Sequence, residues 1–323
     1  MRPKLAFRTD DFLVLIGIFK ILPWGWFKIL PKYYDFNYGA LRAKVHNSKK
    51  AGYLTIEEDR EHLEYLVLTK KGVDRVKQII PLSYEFRPWK GYRSDTIHRS
   101  HHRIIFHFLL DWINYFSDEP DPSGLKGRPR ITKKVLAGDF SKYNIEAVYT
   151  DYEPDLCRFA FKYSGYEIDL RPDMILKPSK EANEVLICLE ADTGSMSISL
   201  LYNKILRYCM LAHANFNYQG VQKIKLYFSF QSIRRAETVF KFPKVLNSNG
   251  LIYELFNQGL VQKYINAKSK ASIRTVDLIK VLKEEKIELY SGLERMGFEN
   301  FQKVDLLGNI LEVCDRVRVL DTK

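Results

Sequence analysis

The stretch Asp169-Leu-Arg-Pro-Asp173-Met-Ile-Leu176, then Val185-Leu-Ile-Cys-Leu-Glu190-Ala-Asp192-Thr-Gly-Ser195, then Leu200-Leu-Tyr-Asn-Lys204-Ile-Leu-Arg-Tyr208, reads as strand, strand, helix. Val185 to Leu189 is an unbroken apolar run, the pattern of a strand covered on both faces. It ends in Glu190 and Asp192, whose spacing of two sends both carboxylates to one face. Thr193-Gly194-Ser195 is turn material, and Ser195 or Ser197 can cap the helix that follows. On that helix Leu200, Lys204 and Tyr208 are four apart and share a face, so Lys204 points back toward the strand end. Asp173 follows Pro172, which lacks an amide hydrogen and suits the start of a strand. If the two strands pair, three carboxylates and one ammonium converge.

That group matches the needs of metal-assisted phosphodiester cleavage. Carboxylates Asp173, Glu190 and Asp192 would hold magnesium or manganese by oxygen, and Lys204 would offset phosphate charge or orient the attacking water. The plainer alternative is that the acids are solvated at a strand end and Lys204 only neutralises them. Tyr208 as a covalent nucleophile is the weaker reading, because a tyrosine one turn after Lys204 serves equally to pack the helix and no activating histidine pair is placed by the sequence.

Working outward, the 323 residues carry 46% hydrophobic side chains, enough for the cores of about two domains. The formal charge of +12 favours an anionic partner, nucleic acid or an acidic membrane surface. Cys157, Cys188, Cys209 and Cys314 are scattered, which argues against a zinc ribbon or a disulfide framework and for a reducing, cytoplasmic setting. Phe12 to Leu30 is the one stretch resembling a membrane anchor, but Lys20, Pro23 and Lys28 break it, and Asp10 and Asp11 precede it where a signal peptide is basic.

Residues 1–50 hold ten Lys or Arg against three acids. Helices are expected over Phe12–Phe19, Phe27–Tyr34 and Tyr38–Ala51, the third with Leu41 and Val45 inward and Gly52 as its stop. Two strand-like runs, 53–56 and 63–68, make a hairpin, and a helix with Val73, Val76, Ile79 and Ile80 follows. This is a winged helix-turn-helix layout over residues 1–82. In such a module the third helix enters the major groove, which selects Arg42, Lys44, Asn47, Lys49 and Lys50 as base or phosphate contacts. The acidic loop Glu57–Glu61 makes the wing a poor phosphate binder, and a winged helix used for dimerisation is the alternative.

Residues 83–133 read as a linker (Arg87–Arg93), a helix over Ser94–Phe116, and a basic loop. Ile104, Ile105, Phe108, Leu109 and Trp112 are at core spacing on that helix, while the histidines of Ile97-His98-Arg99-Ser100-His101-His102 read as surface or helix-start residues. The His-hydrophobe-His triplet of rolling-circle nickases does not occur, and Asp111 is a further acidic candidate. The loop Asp118–Arg130, with Arg128 and Arg130, reads as a clamp over a phosphate backbone or as a plain exposed connection. From 134 to 246 strands at 145–149, 158–163, 168–176, 185–192 and 223–230 alternate with helices at 197–214 and 234–240, an α/β (α+β) mixed sheet. Residues 247–323 read as a mostly helical extension, with Ile273, Val276, Ile279 and Leu282 on one face.

Arg171-Pro172-Asp173, Leu189-Glu190-Ala191-Asp192-Thr193-Gly194 and Lys204-Ile205 with Tyr208 resemble the signature of the replication-relaxation family, plasmid- and phage-associated proteins linked to replication and DNA relaxation. The resemblance covers most of residues 8–230. It implies an N-terminal winged helix and a restriction-endonuclease-like domain of the PD-(D/E)XK kind, with Asp173 and Glu190 in the acidic positions. Asp192 stands where that motif has its lysine, and Lys204 would supply the ammonium from the helix. Two functions follow as expectations: a metal-dependent nickase or relaxase on double-stranded DNA, or an origin-binding initiator whose nuclease-like domain does not cut. Replication or mobilisation proteins and a second copy of the chain are the further partners expected.

Overall fold

The structure, a computed structural model of the chain, describes residues 9–19, 21–24, 38–58, 64–79, 96–115, 145–150, 157–178, 185–214, 221–240, 273, 275–294, 296, 298–308 and 311. Two units emerge, one formed by Met1–Cys157 with Glu294–Asn300, the other by Arg158–Leu293 with Phe301–Lys323. The chain therefore divides after Cys157, later than the boundary at 134 expected from the sequence. Among the described residues no helix is long and apolar enough to cross a membrane.

The first unit runs α1 (Thr9–Phe19), β1 (Ile21–Pro23), α2 (Tyr38–Lys50), β2 (Leu54–Glu58), β3 (Glu64–Leu68), α3 (Lys70–Ile79), α4 (Thr96–Tyr115) and β4 (Ile145–Thr150). β3 pairs antiparallel with both β1 and β2, giving the sheet order β1-β3-β2. Pro23 is tolerated because β1 is an edge strand. Phe12, Leu13 and Ile16 of α1, Leu41 and Val45 of α2, Leu66 of β3 and Val76 of α3 are buried. Leu41 and Val45 are thus the inward stripe of α2, and Arg42, Asn47, Lys49 and Lys50 are left exposed.

Local chemistry sets the junctions. Gly52, at φ +76°, closes α2 in the left-handed region, with Tyr53 N–H donating to the Ser48 carbonyl at 2.9 Å. The Thr69 hydroxyl donates to the Gly52 carbonyl at 2.5 Å and accepts from Gly72 N–H at 3.1 Å, capping α3. Gly72 is required there: a Cβ would lie 1.9 Å from the Tyr53 carbonyl oxygen. Arg75 on α3 then clasps Asp10 on α1 through two nitrogens, at 3.0 and 2.7 Å.

On α4 the apolar positions are buried as their spacing predicts, but His102, Arg103, His107 and Asp111 are buried too. His102 is therefore not a surface residue. Arg103 and His107 meet a segment from far along the chain: Glu294 accepts from Arg103 at 2.8 and 3.3 Å and lies 3.3 Å from His107 Nε2. Phe298 adds its ring against Phe108 and Trp112, at centroid separations of 5.9 and 4.8 Å.

The second unit runs β5 (Phe159–Tyr163), β6 (Tyr166–Leu170), β7 (Met174–Pro178), β8 (Val185–Asp192), α5 (Ile198–His213), β9 (Lys223–Phe230), α6 (Ile233–Phe240), α7 (Thr275–Lys283), β10 (Ile287–Leu293) and β11 (Gln302–Lys303). Within it the order is β11-β10-β9-β8-β7. β7 is antiparallel to β8, whereas β9 is parallel to both β8 and β10. α5 is the crossover that a parallel β8–β9 pair requires. β5 and β6 form a separate hairpin.

Two expectations need correction. The single strand expected over 168–176 is two, because Pro172 cannot donate to a ladder and the chain leaves the β5 pairing after Leu170. The expected mostly helical C-terminal extension instead adds β10 and β11 beside β9. Glu288, in the middle of that added sheet edge, is held by Lys303 at 2.9 Å, Lys223 at 3.0 Å and the Tyr290 hydroxyl at 3.0 Å. Burial pushes its carboxyl up, but those hydrogen bonds win and hold it down at about 2.

Candidate active site

β8 is the central support of the site, buried from Leu186 to Asp192 and flanked by β7 and β9. The ladder with β7 stops at Met174↔Leu189. Beyond that rung Asp173 takes over: its N–H donates to the Leu189 carbonyl at 3.0 Å, and its Oδ2 accepts from Ala191 N–H at 2.8 Å. A side chain thus replaces the missing backbone acceptor, which fixes the Asp173 carboxylate beside the end of β8.

α5 approaches the same place. Ser197 is its N-cap, accepting from Leu200 N–H at 3.4 Å. Lys204 Nζ donates to Glu190 Oε2 and lies 3.8 Å from Asp173 Oδ1. One turn on, the Tyr208 hydroxyl donates to Glu190 Oε1 at 2.8 Å. Tyr208 is fully buried, so it orients Glu190 and has no access to a phosphodiester as a nucleophile. Burial drives its phenol well above the usual range, and the neighbouring Glu190 charge adds to that.

Glu190 is 2% exposed. Burial raises its carboxyl from 4.5 to about 8, against the lowering effect of the Lys204 charge and with a further push from Asp173. Between those two values the folded chain keeps a proton that the unfolded chain has released. The contribution to stability is therefore complete below 4.5 and is lost as pH rises to about 8. One such proton gives a slope of up to about 1.4 kcal/mol per pH unit. Glu190→Gln is expected to remove that slope, read from urea unfolding across the window; a variant that keeps the parental slope would show that another group causes it.

Asp192 goes elsewhere. The register sets it opposite Phe230, the last residue of β9, so the turn into α6 begins beside it. Arg235, in the first turn of α6, donates from Nε to Asp192 Oδ2 at 2.7 Å and from Nη2 to the Met196 carbonyl. Asp192 Oδ1 accepts from Gly194 N–H at 2.7 Å, with Gly194 in the left-handed region at φ +85°. Grouped with Glu190 by spacing as a metal ligand and catalytic acid, Asp192 holds the 193–197 turn through Gly194 N–H and Arg235. The two acids share a face, but each meets its own cation.

Asp173, Glu190 and Lys204 are thus brought together and Asp192 is not. Tyr208, placed on the Lys204 face by its spacing, proves to be a partner of Glu190, and Arg235 is the partner that the sequence did not single out. The first was readable from its spacing of four after Lys204; the second depends on strand register. Lys44 on α2 is half-buried, whereas Arg42, Asn47, Lys49 and Lys50 are open. Arg128 and Arg130, the helix at 27–34, the linker at 87–93 and Cys314 lie outside the described residues. Cys157, Cys188 and Cys209 are buried and not joined in disulfides, and burial pushes Cys209 up to about 12, which leaves it unreactive.

Among the described residues no group of three or more His, Cys, Asp and Glu side chains is arranged to hold a metal ion. Asp173 and Glu190 are a two-carboxylate set of hard oxygens on neighbouring segments, a donor set that magnesium accepts when water completes its shell. No protein-family model, no curated protein and no solved structure matches this chain.

Proposed function

We propose that this protein binds double-stranded DNA through α2 and nicks or relaxes it at Asp173, Glu190 and Lys204, as a plasmid- or phage-type replication and relaxation protein. The observation that carries the reading is Lys204 reaching from α5 to the carboxylates of Asp173 and Glu190. An ammonium beside two hard acids at a strand end is the charge pattern of phosphodiester cleavage. The order β7-β8-α5-β9 supports a nuclease-like core of the PD-(D/E)XK kind. The order α1-β1-α2-β2-β3-α3, with β3 between the other two strands, supports a winged helix. A cytoplasmic setting, a homodimer, and replication or mobilisation proteins as partners belong to the same reading.

Asp173 and Glu190 would hold magnesium or manganese, which when bound polarises the phosphate and favours a metal-activated water. Tyr208 keeps one Glu190 oxygen occupied, so the other is the one turned to Lys204. Lys204 is 21% exposed, open enough to meet a phosphate oxygen when it leaves the carboxylates. A second reading, a non-catalytic origin-binding initiator or regulator, is favoured by one observation: both Glu190 oxygens already accept hydrogen bonds.

Supercoiled plasmid decides between them. Open circles formed with magnesium or manganese, absent with chelator and absent for Asp173→Asn, support cleavage; duplex binding without any nicking supports the initiator. For recognition, Arg42→Ala with Lys49→Ala is expected to weaken duplex binding and to flatten its salt slope by about 1.8, roughly 0.9 for each phosphate no longer neutralised. An unchanged affinity and slope in a salt titration would take α2 out of the DNA interface.

A further inference from the structure

Arg158, Arg171 and Arg207 gather at the end of β6, and we infer that Arg158 and Arg171 bind a DNA backbone phosphate flanking the one presented to Asp173 and Glu190. The inference rests on the proposed cleavage site and adds positioning residues to it. The last rung of the hairpin pairs Phe159 with Leu170, and Arg158 and Arg171 flank that rung. Arg158 Nε donates to Asp169 Oδ1 at 2.8 Å, and Arg171 Nη2 lies 3.3 Å from Asp169 Oδ2. Arg207 Nη1 donates to the Asp169 backbone carbonyl at 3.2 Å. One carboxylate is therefore set against three guanidinium groups, and two positive charges are left over.

The side chains of Arg171 and Arg158 are 58% and 37% exposed, so their remaining donors reach solvent. Arg207 follows Lys204 by three residues on α5, which puts both on one side of the helix. Arg171 precedes Asp173 by two residues, so a strand lying over Asp173 passes the guanidinium. Exposed ion pairs stabilise a fold only slightly, a weak reason to collect three arginines around one aspartate. Guanidinium is by contrast the side chain whose fork fits a phosphate with two parallel hydrogen bonds. Asp169 holds the two forks in place before DNA arrives, limiting the side-chain entropy lost on binding.

The test is a salt titration of duplex binding by the full chain without divalent metal. Arg158→Gln with Arg171→Gln is expected to lower the slope of log K against log salt by about 0.9, the share of a single neutralised phosphate. The Arg158→Lys, Arg171→Lys protein is expected to keep the parental slope with weaker affinity, because it keeps charge and loses the fork. Arg171→Gln alone, at the most exposed of the three positions, covers the case in which the double variant fails to fold. A parental slope and affinity in the glutamine variants, while Arg42→Ala with Lys49→Ala still weakens binding, overturns this inference and leaves the proposed function standing. A parent that binds no duplex overturns both.

Discussion

Lys204→Met is expected to slow metal-dependent nicking by roughly a hundredfold or more, the scale of losing one charge-stabilising donor, with duplex affinity unchanged. An interaction made to the transition state alone lowers the rate without altering ground-state binding. The ammonium touches Glu190 and lies 3.8 Å from Asp173, so its loss removes the one positive charge described between the two acids. The variant still folds at neutral pH, because the Lys204 charge is what opposes burial at Glu190. Without it the carboxyl titrates higher still and stays protonated, as it is in the parent at neutral pH, so no bare charge is left there. Above pH 8 the parent's loss levels off, whereas the Met protein, which holds its proton to a higher pH, is expected to go on losing stability. Nicking rates, binding isotherms and melting curves on either side of that pH check the account together. A stable Met protein that nicks at the parental rate removes Lys204 from the chemistry.

Asp192→Ala is expected to cost roughly 3–5 kcal/mol of stability, the range for removing one partner of a buried ion pair. The Asp192 side chain is 1% exposed and that of Arg235 19%. Truncation strips Arg235 of its carboxylate and Gly194 N–H of its acceptor, while the Asp192 carbonyl keeps its bond from Gln231 N–H at 3.2 Å. Arg235→Ala is expected to cost as much, by stranding the aspartate. The double variant is expected to lose clearly less than the sum, since each single change already destroys the pair. Urea unfolding of the four proteins measures the coupling. If Asp192→Ala unfolds with the parent and loses only nicking, Asp192 belongs with the cation ligands after all.

What was legible depended on local periodicity. Val185 to Asp192 and Lys223 to Phe230 are strands at the bounds their apolar runs suggest, since both lie inside the sheet and need no partner to be recognised. Lys204 and Tyr208 reach Glu190 because a spacing of four on a helix holds in any surroundings. The partner of Asp192 was not legible, for the complementary reason. A period of two gives its face correctly, but only the parallel register with β9 brings Arg235 to it. β10 was hidden by Glu288, a charge that reads as solvent-facing until its two cross-strand lysines and the Tyr290 hydroxyl of its own strand are known. The burial of Arg103 and His107 was not legible because their partner Glu294 lies far along the chain, beyond the reach of any window.

That late return governs the order in which the chain can be finished on a ribosome. The first unit owns Glu294–Asn300, and its helix α4 keeps Arg103 and His107 against Glu294 and its aromatic face against Phe298. A nascent chain that has emerged only to Cys157 has its basic helix and three-stranded sheet in hand but must wait for more than a hundred further residues to close its core. The unit is therefore no portable cassette: a gene fragment ending at that boundary, fused elsewhere or expressed alone, lacks the Glu294 carboxylate that its buried Arg103 holds in the full chain.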